Sequence, residues 1–113
     1  MLFGSKIRKI RKEKGMSQME LAKKLGYKSN SYIADVEAGK FIPSKDKLRK
    51  IAKALNIPFS QLEEILIKSK IKELGIKDKE LIDLFVDVPK LPKKEKEKII
   101  KVYLSIKEKL KKK

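Results

Sequence analysis

The chain has no cysteine and no histidine among its 113 residues. The first absence excludes a disulfide framework, thiolate chemistry and zinc–thiolate sites. The second removes the usual general base at neutral pH and the commonest metal ligand. Catalysis is therefore not expected, and neither a metal nor any other cofactor is. No apolar run exceeds three residues, which excludes a membrane-spanning helix and the apolar centre of a signal peptide. A cytoplasmic protein without membrane attachment is expected. Acidic residues are also scarce, 15 against 31 basic ones, for a formal charge of +16. Such an excess favours an anionic partner, nucleic acid or an anionic membrane. All the basic residues except Arg8, Arg11 and Arg49 are lysine, so a lysine-rich proteome would give the same figure. Charge alone leaves the partner open.

One window lacks what the rest has in plenty. From Ser29 to Gly39, "SNSYIADVEAG", there is no basic residue, only short polar groups, a few apolar ones and two acids. Lys28 and Lys40 bracket it.

Proline and glycine cut the chain into helix-sized pieces. Phe3, Ile7 and Ile10 recur at helical spacing up to about Lys14, and Gly15 is a stop signal. In "SQMELAKKLG", Ser17 and Glu20 form a capping-box pattern, Leu21, Ala22 and Leu25 make the buried face, and Gly26 ends the helix. Ser29 is the expected N-cap of a third helix with Ile33 and Val36 on one face and Gly39 beyond its end. Ser44 is expected to cap a fourth, whose Leu48, Ile51, Ala52 and Leu55 give an i, i+3, i+4, i+7 stripe. Past Pro58, Ser60 and Glu63 repeat the capping pattern, with Leu62, Ile65 and Leu66 facing inward, and the helix continues as far as Leu74. No segment alternates, so the chain reads as all-α.

A short helix, a glycine-containing turn and a second short helix is the geometry that projects a helix into the DNA major groove. Ser17–Leu25 and Ser29–Ala38 fit it. A helix that reads base edges needs asparagine, serine and similar groups, whereas lysine mostly grips phosphate as a point charge. The lysine-poor window with cations on both flanks suits that division of labour.

At this point the residues resemble a known family. "IRKIRKEKGMSQMELAKKLG" followed by "SYIADVEAGKFIPSKDKLRKIAKALNI" is similar to the helix-turn-helix regulators of Cro/C1 type, the XRE family, over about residues 3–66. The resemblance implies a five-helix bundle that binds operator DNA as a dimer. It also implies roles: Asn30, Ser31 and Asp35 at base-reading positions, and Gln18 at a phosphate while steadying the reader helix. Lys40 and the backbone near Phe41 match a phosphate-touching loop, with Lys28 and Tyr32 grouped alongside. Arg11 and Glu37 match a partly buried ion pair. Tyr32 fits core packing or backbone contact equally, and Asp35 fits either cytosine recognition or a solvated acid. One residue more than the commonest spacing separates Gly26 from "SYI", so "YKSN" makes a longer turn and Asn30 falls either on the helix or in the loop before it.

Residues 1–70 are expected to form the DNA-binding domain and residues 71–113 a helical two-helix extension. In the extension, "KDKELIDLFVDVP" is opened by Asp78 and closed before Pro89, and has too many apolar residues for a helix with one wet side. A last helix starts with Pro92 in its first turn, and Ile99, Tyr103, Ile106 and Leu110 form a heptad seam. Leu81, Leu84, Phe85 and Val88 with that seam suggest a symmetric homodimer through residues 78–110. The competing uses are packing on the chain's own bundle or docking another protein. A dimeric, sequence-specific transcriptional regulator, acting as a repressor, is the leading expectation. An antitoxin or protein-interaction adaptor on the same scaffold is the alternative, and a non-specific, charge-driven nucleic-acid binder is the third reading.

Overall fold

A computed structural model describes residues 2–112. Among them are seven α-helices and no strand: α1 Leu2–Glu13, α2 Gln18–Lys24, α3 Ser31–Glu37, α4 Lys45–Ala54, α5 Phe59–Glu73, α6 Lys79–Asp87 and α7 Lys93–Lys111, with a 3₁₀ turn at Val88–Lys90. The all-α expectation agrees with this architecture. The chain divides into two compact units, one up to Leu74 and one from Gly75 onward.

The first unit is held together by the stripes that the sequence displays. Ile7 from α1, Leu21 from α2, Ile33 from α3, Ile51 from α4 and Leu62 from α5 are all fully buried in one core. Each such side chain contributes about 1.5–3 kcal/mol by leaving water. The short helices α2 and α3 span seven residues apiece, below the length at which a helix persists alone, so this core is what holds them. Leu25, Ile10, Ile65 and Leu66 are half-buried at its edge.

Capping follows the sequence at three helix starts and departs from it at three. Ser17 Oγ accepts from the Glu20 N–H at 3.0 Å and Glu20 reaches back to the Ser17 N–H, completing the box. Ser44 Oγ accepts from Lys47 N and Asp78 Oδ1 from Leu81 N. Ser29, in contrast, is not the N-cap of α3. The extra residue of the turn moves the cap to Asn30, and the Ser29 hydroxyl bonds Ser31 instead. Ser60 is not a cap either. Pro58, with φ fixed near −62°, occupies the N-cap position and α5 starts at Phe59. Ser60 therefore lies inside the first turn. At α7 the proline is likewise one place earlier than expected: Pro92 is the N-cap and the helix begins at Lys93.

One glycine sets the approach of two helices. Gly4, buried inside α1, lies so close to the end of α3 that an added Cβ would stand 2.5 Å from the carbonyl oxygens of both Val36 and Glu37. Any side chain there would push α1 off α3. In the second unit, Val86 is buried while Leu81, Leu84 and Phe85 of α6 are exposed. No helix among the described residues is long and apolar enough to cross a membrane.

Candidate nucleic-acid interface

A chain of polar contacts runs from the interior to the surface at the start of α3. Arg11 and Glu37, 26 residues apart, form a buried ion pair with their side chains 7% and 3% exposed. Arg11 Nε donates to Glu37 Oε2 at 2.7 Å, one of its terminal nitrogens donates to Oε1 at 3.0 Å, and the other donates to the Met16 carbonyl at 2.7 Å. The bond to Glu37 raises the Arg11 pKa above its ordinary value, against the lowering effect of burial. With all three guanidinium nitrogens and both carboxylate oxygens engaged, such a pair ties α1 to α3 and to the entry of α2. Removing one partner would strand the other charge, at a cost of about 3–5 kcal/mol.

The chain continues outward. Gln18 Nε2 donates to Glu37 Oε1 at 3.1 Å, and Asn30 Nδ2 donates to Gln18 Oε1 at 3.0 Å. Asparagine is a favoured N-cap residue, yet Asn30 makes no side-chain cap bond, because its amide is turned toward Gln18. Asn30 is therefore neither inside the helix nor loose in the loop. It is the residue at the boundary, exposed and held from behind. Ser31 is exposed beside it, and Asp35 lies one turn further along α3.

Asp35 is half-buried and pairs with Lys40 at 3.2 Å. An exposed pair of this kind is worth at most about 1 kcal/mol, so Lys40 can exchange the carboxylate for another anion at little cost. Lys28 and Phe41 are exposed at the two ends of α3.

An aromatic cluster braces the same helix. Tyr32 stacks on Tyr27 with ring centres 4.9 Å apart and meets Phe41 at 5.4 Å. Lys47, from the first turn of α4, donates to Tyr27 Oη at 2.7 Å and lies 5.0 Å from the Tyr27 ring centre. Burial raises the Tyr32 pKa, and the hydrogen bond to Tyr27 raises that of Lys47. Tyr32 thus packs at the edge of the core. Tyr27 and Lys47 escaped the sequence reading: they are 20 residues apart on different elements, and no periodicity links them.

The residues expected to serve self-association are in the second unit. Leu81, Leu84 and Phe85 of α6 and Ile99, Tyr103 and Ile106 of α7 line one open apolar groove of about 770 Å³. Val88 is half-buried outside it, and Leu110 is 64% exposed near the end of α7.

Two braced short helices, the second with polar groups at its exposed start and a cation at each end, define a helix-turn-helix module. A family model described as Helix-turn-helix matches residues 7–62. The Bacillus phage phi105 immunity repressor protein is 40% identical over 80 residues, 69% of this chain and 55% of that protein. The ImmF control region 10 kDa protein of the same phage is 40% identical over 61 residues, covering 54% of this chain and 67% of its own length. The cryptic phage CTXphi transcriptional repressor RstR of Vibrio cholerae is 36% identical over 61 residues, 54% of each chain. The chain thus spans little more than half the length of the first of these relatives. No solved structure matches it significantly. The chain belongs to the Cro/C1-type helix-turn-helix family.

Proposed function

We propose that the protein is a sequence-specific, DNA-binding transcriptional repressor that acts in the cytoplasm as a homodimer and blocks a promoter without catalysis. The observation that carries this reading is the start of α3: an exposed asparagine, anchored through Gln18 to a buried ion pair, on a helix stripped of lysine and flanked by Lys28 and Lys40. With α3 in the major groove, Asn30 pairs with adenine through N6 and N7, and Ser31 and Asp35 face neighbouring bases. Lys28, Lys40, Gln18 and the segment around Tyr32 and Phe41 meet the phosphates. Relatives named as an immunity repressor and a transcriptional repressor support the direction of control.

One such head spans few base pairs, so selectivity calls for two heads about one helical turn apart. The apolar groove between α6 and α7 supplies the joining surface in this reading. An exposed apolar face of that extent is unusual on a monomer. The same face supports the second reading, an antitoxin or adaptor whose main partner is another protein.

Selection of bound fragments from a random duplex library tests the proposal. A palindromic sequence with one enriched adenine per half-site is expected. Recovery of unrelated sequences, with affinity set by salt alone, would reduce the protein to a charge-driven binder.

A further inference from the structure

We infer that a second copy of this chain seats crosswise on the α6–α7 groove, α6 of each protomer packing on α7 of the other, and that the charges bordering the groove select this arrangement. The inference deepens the homodimer proposed above and rests on it. Its basis is the unequal charge of the two helices. Helix α6 has three acids and one lysine, whereas α7 has eight lysines and three glutamates. On α6, Glu80 and Asp87 are four and three residues from Leu84, so both lie along the edge of its exposed apolar face. Lys79 is on another side of the helix, seven residues before the buried Val86. On α7 the same spacing puts lysine on both edges of the apolar face, Lys98 and Lys109 beside Val102, Lys96 and Lys107 beside Tyr103. Two of its glutamates, Glu97 and Glu108, fall on the far side, and the third, Glu95, pairs with Lys98 at 3.6 Å. Among the described residues Glu80 and Asp87 take part in no ion pair.

Two grooves facing each other across a two-fold axis bring four helices together, and every contact occurs twice. Two arrangements cover the same apolar side chains. With like helix on like, the acids of one copy stand against the acids of the other, and lysines against lysines. With the helices crossed, Glu80 and Asp87 of one protomer meet α7 lysines of its partner, on both sides of the axis. Apolar burial does not distinguish the two, because the same faces are covered in each. Juxtaposed like charges disfavour the first, and bordering charges of this kind set pairing in helical assemblies generally. An unrelated acidic helix would suit α7 but would confront the acids of α6. A second copy supplies each sign where the other is needed.

The experiment is sedimentation equilibrium of the full chain as wild type, as the double variant Glu80→Lys with Asp87→Lys, as the double variant Lys98→Glu with Lys107→Glu, and as an equimolar mixture of the two variants. Each variant alone is expected to dimerise about tenfold more weakly than wild type, since reversal turns attraction into repulsion at both crossed contacts. The mixture should regain wild-type affinity as a heterodimer, because opposite charges again meet on both sides of the axis. A mixture no tighter than its components overturns the inference. So does an acid-reversed variant that dimerises like wild type, which would place the edge of α6 outside the interface. The lysine-reversed variant has the lower net charge, so its tighter dimerisation would show that overall repulsion governs instead, and would likewise overturn the inference. If either variant loses helix by circular dichroism, Leu84→Cys and Val102→Cys decide, each made singly in this cysteine-free chain. With a short bifunctional maleimide, cross-links between the two different proteins should exceed those between like ones, and an excess of like products overturns the crossed arrangement. A wild type that stays monomeric at every concentration refutes the homodimer itself, a different outcome from a dimer whose variants do not complement each other.

Discussion

Arg11 and Glu37 illustrate how single residues set the site. They bring a charge pair into a core built of apolar side chains, and every polar atom of the pair meets a partner. Gly4 makes their distance possible by letting α1 reach the end of α3. Gly4→Ala should accordingly destabilise the protein by about 1–3 kcal/mol, although alanine favours helix, because the added methyl meets backbone oxygens that cannot rotate away. Urea unfolding would measure it, and a stabilised variant would contradict the packing described. A second residue-scale prediction concerns pH. The folded state raises the pKa of Tyr32 above 10.0 and that of Lys47 above 10.5. In both cases the unfolded chain loses its proton first as pH rises, so the folded state is the one that holds more protons and stability falls. The melting temperature should therefore decline above about pH 10. Tyr27→Phe, which deletes the hydrogen bond to Lys47, should make that decline shallower.

At the scale of helices, the features visible in the sequence were the local ones. The capping box at Ser17 involves residues three apart, and the stripe of α4 lies within one helix, so neither depends on the rest of the fold. Ser17→Ala should cost about 1 kcal/mol, whereas Ser60→Ala, which removes no cap, should change stability by a few tenths at most. Thermal unfolding of the two variants checks the contrast. The start of α3 was harder to place. Ser29 is as good a cap as Asn30 by residue type, and the choice was made by the length of the turn and by Gln18, which draws the Asn30 amide away from the helix end. Family resemblance located the Arg11–Glu37 pair; residue spacing could not, since nothing local links position 11 to position 37. Tyr27 and Lys47 had no signal of either kind. Their contact exists because α4 returns past the turn between α2 and α3, a path that only the packed bundle defines.

The whole molecule combines a braced helix-turn-helix unit with a second unit that leaves large apolar side chains in water. Phe85, Tyr103 and Ile106 are each about half exposed on one groove. In the proposed dimer this groove is covered by a second copy, and Ile106→Glu should leave a 13.1 kDa monomer in sedimentation while the melting of the first unit is retained. Loss of the dimer should weaken operator binding far more than binding to random duplex, since only the operator engages both heads at fixed spacing. The proposed recognition depends most on α3 lying in the major groove with Asn30 on an adenine. Replacing that adenine by 7-deazaadenine removes the N7 acceptor and leaves base pairing intact. Wild-type affinity should fall about tenfold, and Asn30→Ala should bind both operators equally. If the two proteins lose affinity to the same extent, or neither does, Asn30 does not read that base and the placement of α3 is wrong.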